Sequence, residues 1–211
     1  MPRPIWLLVV LPWLATPAAA HEAPLGARLR EALEFDAPDV SYSYADMNGD
    51  VALTTRAAEL AAARGVVVVN SAGNSGFDPT HNTLGAPADG RHVLATGALT
   101  PLGERAPFSS VGPTADGRIK PDLVAQGMFV RAAAPGAPDA YGLVNGTSFS
   151  CPLTAGVVAL VLQAHPTYTV DQVLTVMRST ARNALAPNNL IGWGLVDALA
   201  AVTAPASTLV P

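Results

Sequence analysis

Cysteine, charge and histidine are all scarce in this 211-residue chain. A single cysteine, Cys151, excludes an internal disulfide framework and a thiolate-rich zinc site. Charged residues make up 13% of the chain, about half the usual share. The 12 basic residues are spread out against 16 acidic ones, for a net charge of −4. Such a chain carries no basic footprint for nucleic acid or for an anionic membrane surface. The turn Gly73-Asn74-Ser75-Gly76 lacks the spacing of a phosphate-cradling loop, which sets aside nucleotide binding. There is no internal repeat and no low-complexity tract. What is abundant is apolar side chain, at 50% of residues, which excludes intrinsic disorder. The 18 glycines and 19 prolines follow no collagen-like period and signal many turns. The length suits one domain.

The amino terminus reads as a targeting segment. Residues 1–20 carry one early Arg3, an apolar stretch from Ile5 to Ala15, and the small-residue run Pro17-Ala18-Ala19-Ala20. That order is the layout of a secretory signal peptide. The apolar stretch is interrupted by Pro12 and falls short of the ~20 residues a membrane span needs, so no stable membrane anchor is expected. The expected organisation is therefore a signal peptide over residues 1–20 and one domain over residues 21–211, secreted or extracytoplasmic after cleavage.

Along the mature chain, Leu25, Leu29 and Leu33 suggest a short helix, and the stretch from Asp39 to Tyr44 alternates like a strand. A helix is expected from Ala52 to Arg64, with Leu53, Ala57 and Leu60 on one face and a stop at Gly65. Val66 to Val69 then run without polar alternation, as in a central strand covered on both faces of a parallel sheet. A second strand is expected from His92 to Ala98, followed by a loop-rich middle from Thr100 to Ala140. From Thr147 to Ala164 the sequence leaves no polar face, which predicts a helix buried on all sides. Pro152 falls near its start, where a missing amide hydrogen costs least. Thr169 and Gln172 form a capping box for a further helix to about Arg182, with Val173, Val176 and Met177 inward. A closing helix is expected from Trp193 to Val202.

Ser148 stands in Asn145-Gly146-Thr147-Ser148, directly before the apolar helix. A serine there is commonly a simple cap. It also sits at the positive end of a helix dipole beside free amides, where an oxyanion would be stabilised. The segment is not a Gly-x-Ser-x-Gly elbow, because Ser150 stands in the last glycine's place. Four stretches decide between these readings. The run from Gly146 to Gly156, Gly-Thr-Ser-Phe-Ser-Cys-Pro-Leu-Thr-Ala-Gly, strongly resembles the nucleophile segment of the subtilisin-like serine proteases, the subtilase family. Ser71-Ala72-Gly73-Asn74-Ser75-Gly76 is similar to that family's oxyanion-hole loop. The stretch from Pro107 to Asp122, and then Gly192-Trp193-Gly194-Leu195-Val196-Asp197-Ala198, resemble two further family segments in the same order.

The resemblance implies an α/β fold: a partial doubly wound, mostly parallel sheet flanked by helices, lacking the family's N-terminal strands. It implies peptide-bond hydrolysis on a polypeptide substrate, with Ser148 as nucleophile. Asn74, together with the Ser148 amide, would form the oxyanion hole. Ala72, Gly73, Ser43 and Gly146 would bind substrate, Ser43 on a strand that pairs with the peptide. No cofactor and no metal is expected; calcium is common in the family, but no acidic loop specifies a site here.

The family's triad runs Asp, His, Ser along the chain. None of the four histidines, His21, His81, His92 and His165, is followed by glycine, and no Asp-Ser/Thr-Gly turn precedes Asn74. The resemblance thus covers a subtilase without its front half, and the sheet is expected to have an unpaired apolar edge. Three readings stay open: a protease in which an unexpected group replaces the base or a second chain carrying the Asp and His segments supplies it, a non-catalytic remnant that binds peptides, and a reading frame begun too late.

Overall fold

The structure is a computed structural model that describes residues 6–10, 53–136 and 139–205. The predicted helix near Leu25 and the predicted strand at Asp39 to Tyr44 lie outside the described residues. Strands β1 (Trp6–Val10), β2 (Val66–Ser71), β3 (Val93–Leu99) and β4 (Leu123–Gln126) form a four-stranded sheet in that order. All three pairings are parallel. Strands β5 (Val130–Ala133) and β6 (Tyr141–Val144) make a separate antiparallel ribbon. The helices are α1 (Leu53–Ala63), α2 (Thr147–Ala164), α3 (Val170–Ser179) and α4 (Ala198–Thr203). The architecture is α/β, with helices on both faces of a parallel sheet.

The valine run explains that layering. Side chains of a strand alternate between faces. Val67 and Val69 enter the larger core with Leu94, Leu123, Val158 and Val161, whereas Val68 enters a smaller one with Ala58, Ala61 and Val93. Helix α1 lies on the second face, but not as its sequence suggests. Thr55, Ala58, Ala61 and Ala62 are buried, while Leu53 and Leu60 are exposed. Alanine allows the helix axis to come close to a valine-covered strand, and a leucine there would hold it away.

Other expectations were also altered by tertiary context. The loop-rich middle contains β4 and β5, each too short for a periodic pattern to show. The Thr169–Gln172 capping box forms in both directions, and Val173, Val176 and Met177 are buried, but α3 stops at Ser179. The closing helix is confined to α4, capped by the Asp197 carboxylate. Residues 193–196 instead extend beside β4, where the Val124 amide donates to the Gly194 carbonyl (3.0 Å) and the Val196 amide to Val124 (3.1 Å). The outer edge of β2 is not unpaired. Trp6–Val10, from the apolar stretch read as a signal, fills it in register from Trp6 against Val66 to Val10 against Asn70.

One buried charge joins these parts. The Asp122 carboxylate accepts from the Ala95 amide (2.6 Å), Lys120 Nζ (2.7 Å), and Arg178 Nε and Nη2 (2.9 and 2.5 Å). Lys120 Nζ also donates to the Val93 carbonyl (2.6 Å), and Arg178 lies over the Trp193 ring at 5.1 Å. Burial alone would raise the Asp122 carboxyl, but Lys120 and Arg178 outweigh it and hold it below its ordinary 3.8. Removing the carboxylate would strand the buried Lys120 ammonium, so Asp122→Ala is expected to cost about 3–5 kcal/mol in urea unfolding. Because the folded-state pKa is depressed, the stabilisation is present above about pH 4 and is lost as pH falls through the folded value. Asp122→Asn should flatten this acid limb when melting temperature is followed from pH 6 down to pH 2.

Candidate active site

The site is assembled at the carboxyl ends of the strands. Beyond β2 the Ala72 amide donates to the Thr96 carbonyl (2.9 Å), so Ala72 is pinned and fully buried. The chain then turns at Gly73, whose φ of 114° suits glycine, and an added Cβ would lie 2.7 Å from Ser110 Oγ. Ser110 braces this turn twice: its amide donates to the Gly73 carbonyl (3.0 Å), and its hydroxyl accepts from the Ser75 amide (3.0 Å). The stretch from Pro107 to Asp122 therefore supports the Asn74 loop through Ser110 and the sheet through Lys120 and Asp122.

Helix α2 reaches the same place from the other side. Its N-cap, Gly146, has φ 148° and offers no side-chain cap. The Gly146 amide donates to the Gly127 carbonyl beyond β4 (2.8 Å). The missing cap is supplied by Asn74, 73 residues earlier in the chain, whose Oδ1 accepts from both the amide and the hydroxyl of Thr147 at 2.9 Å. The Thr147 hydroxyl in turn accepts from the Gly73 amide (3.3 Å). With Oδ1 committed, the Asn74 Nδ2 group is the end left to donate, and a Cβ placed on Gly146 would be 3.6 Å from it. Ser148 is half-buried in the first turn of α2, and neither its hydroxyl nor its amide has a hydrogen-bond partner among the described residues. A hydroxyl, a free helix-start amide and an oriented carboxamide thus face one small region.

Of the residues singled out from sequence, Ala72, Gly73, Asn74, Gly146 and Ser148 converge here, while Ser43 lies outside the described residues. Thr147 has a role that sequence reasoning missed: it holds Asn74 in orientation. Its place between Gly146 and Ser148 was the available signal, but the contact is long-range and has no local pattern.

With this geometry in view, comparison with known proteins places the chain. The profile of the subtilase family matches residues 36–194. The chain belongs to the subtilase family. It is 38% identical over 162 residues to subtilisin DY of Bacillus licheniformis, covering 77% of this chain and 56% of that protein. Against subtilisin E of Bacillus subtilis the figures are 36%, 77% and 40%. Among solved structures, MycP1 from Mycobacterium smegmatis is similar at a TM-score of 0.58 and 27% identity, over 74% of this chain and 45% of that one. Fervidolysin from Fervidobacterium pennivorans, a keratinolytic enzyme related to subtilisin, is similar at 0.59 and 28%, over 72% and 24%. The chain thus spans 40–56% of the length of these two curated subtilisins.

The described histidines are engaged elsewhere. His92 Nδ1 lies 2.6 Å from Glu59, with Asp171 at 3.6 Å from its other nitrogen. His81 is 3.2 Å from Asp78 on the surface. His165 caps the far end of α2, bonds the Val202 carbonyl (2.9 Å) and stacks on Tyr168. A helical rise of ~1.5 Å per residue puts it roughly 25 Å from Ser148. No group of three or more potential metal ligands occurs among the described residues.

Cys151, one turn after Ser148, is a different kind of residue. Burial against the sheet pushes its thiol up to about 12. It should resist Ellman's reagent at pH 8 in the folded chain and react at once in denaturant. The Thr147 bridge is open to a direct test. Thr147→Val should cost about 1–3 kcal/mol in urea unfolding, because it leaves the Gly73 amide unpaired and removes one of the two donors to Asn74.

Proposed function

We propose that this chain is the nucleophile-bearing part of a secreted subtilisin-like serine endopeptidase. The observation that carries the reading is the pair of hydrogen bonds from Thr147 to Asn74, which turns the Asn74 amide toward the helix start that bears Ser148. Ser148 Oγ attacks the carbonyl carbon of a polypeptide and gives its proton to a base. The resulting oxyanion takes hydrogen bonds from Asn74 Nδ2 and the Ser148 amide. Collapse expels the amine, which receives that proton, and water then hydrolyses the acyl-serine. Ala72 and Gly73 wall the pocket for the side chain before the scissile bond, Gly146 keeps the approach to Ser148 clear, and the Ser43 strand pairs with the peptide. The base and its orienting carboxylate come from Asp and His segments outside these 211 residues. Export follows from the apolar stretch and alanine exit of residues 1–20.

The engagement of every described histidine away from Ser148 supports a second reading, a non-catalytic remnant that holds peptides without cutting them. Both readings predict that the 211-residue chain alone does not hydrolyse peptides at protease-like rates. In subtilisins a broken triad leaves about 10³–10⁴-fold over water, against total enzyme enhancements of at least ~10⁶. Ser148→Ala should therefore change peptide hydrolysis by the isolated chain hardly at all, and a drop of several orders of magnitude would reveal a base within it. The protease reading alone predicts that adding a polypeptide with the Asp and His segments makes Ser148 react with a fluorophosphonate. In the secreted product, mass spectrometry should find the amino terminus at His21, within two residues.

A further inference from the structure

Helix α2 was expected to be buried on all sides, yet it buries only one. With successive residues about 100° apart, Thr147, Cys151, Thr154, Val158 and Val161 pack inward, while Leu153 and Leu160 are exposed. The inward row is not uniformly apolar. Val158 and Val161 join Val67, Val69, Leu94 and Leu123 in the larger core, but Thr154, one turn nearer the helix start, brings a hydroxyl into an interior with no solvent exposure. Among the described residues Thr154 Oγ1 has no hydrogen-bond partner.

Two strand residues on the facing side of the sheet are in the same condition. Ser71 closes β2 and Thr96 lies within β3, and the two are partners in the parallel register. Side chains alternate between faces along a strand. Ser71 follows Val69 by two residues and Thr96 follows Leu94 by two, and both of those side chains lie in the core with Val158 and Val161. Ser71 and Thr96 therefore face α2 on neighbouring strands, about 4.8 Å apart. Ser71 is 1% exposed and Thr96 0%, and neither hydroxyl has a partner among the described residues. Their depth in the interface also agrees. The Gly73 amide donates to the Thr147 hydroxyl where β2 and α2 meet, and α2 then packs back over β2, β3 and β4. From that contact Thr154 lies ~10 Å along α2, and Ser71 ~7 Å back along β2. Asn70 Oδ1 is also without a partner, but it belongs to the other face, with Val68.

A buried hydroxyl left unpaired is costly, and native interiors rarely tolerate one. Here three share one layer. Each can donate one hydrogen bond and accept others, and a buried water characteristically takes two to four such partners. We propose that Ser71, Thr96 and Thr154 form the binding site of a single buried water, which ties β2, β3 and α2 together behind the Asn74 loop. With two hydrogens and two lone pairs, one water serves all three hydroxyls however each is rotated. The three side chains carry no charge, so the occupant is neutral. Its place in the fold gives it a consequence for the site. Ser71 leads directly into Ala72 and the turn that bears Asn74, and Thr154 lies two turns along α2 from Thr147. The Thr147 bonds join these two elements at their tips, and the water joins them again at a deeper point.

Magnetic relaxation dispersion of the water oxygen, which counts long-lived internal waters, tests this on the full chain. Ser71→Ala, Thr96→Val and Thr154→Val combined should lower the count by one, and an unchanged count in the folded triple variant overturns the site. Urea unfolding gives a second reading through its sign. If the hydroxyls were simply unpaired, each substitution, which nearly keeps the side chain's shape, would remove a buried polar burden and raise the folding equilibrium constant. With the water bound, each single substitution should lower that constant ~2–10-fold. The triple variant should then lose much less than the product of the three, because it removes every group that needs the water. Single variants that are more stable than wild type overturn the proposal. Should the variants fail to fold, a crystal structure of the wild type decides. An ordered water about 3 Å from all three oxygens is the expected result, and hydroxyls bonded to one another or to main-chain carbonyls, with no water between them, overturn it.

Discussion

The fold depends on one buried carboxylate. Asp122 immediately precedes β4 and is fully enclosed, yet through Lys120, Arg178 and the Ala95 amide it reaches β3, α3 and, by way of Arg178, the Trp193 ring. Its own main chain completes the junction, since the Trp193 amide donates to the Asp122 carbonyl (2.8 Å). A buried ion pair is not by itself a source of stability, because desolvation offsets most of the attraction. Its value here is geometric. Every donor must be in place for the charges to be tolerated, so strand order, the position of α3 and the path of the closing segment are set together.

The start of α2, with Ser148, benefits from that rigidity at second hand. Parallel sheets present their loops at the carboxyl ends of the strands, and sites form where those loops meet. Here the loops after β2 and β4 meet the start of α2, and Asn74 serves that helix as its cap. The same side chain that satisfies Thr147 is thereby oriented, and among the described residues the Ser148 amide stays uncommitted. The helix cap and the proposed oxyanion site are one arrangement, built from residues 73 positions apart.

The segment Trp6–Val10 shows how one composition can serve two structures. A short run of large apolar residues suits an export signal, and the same run satisfies the exposed hydrogen-bonding edge of β2 by parallel pairing. Export with cleavage would open that edge again.

Much of this was legible from residues alone. The unbroken valine run implied a parallel sheet covered on both faces, the Thr169–Gln172 box marked the start of α3, and the Gly-Thr-Ser and Ala-Gly-Asn stretches carried the family. Each is a local signal, written in neighbouring residues. Other features were not local. Which side of α1 faces the sheet was decided by the closeness that alanine permits, against the pull of its leucines. Whether an apolar helix is buried all round depends on what surrounds it, so the open side of α2 could not be seen in its own composition. The Thr147 bridge and the Asp122 junction join residues far apart in sequence, and only folding brings their donors and acceptors within reach. Hydrophobic period and backbone preference determined the elements and their types; the tertiary structure decided which faces meet, which polar groups find partners, and which apolar side chains stay exposed.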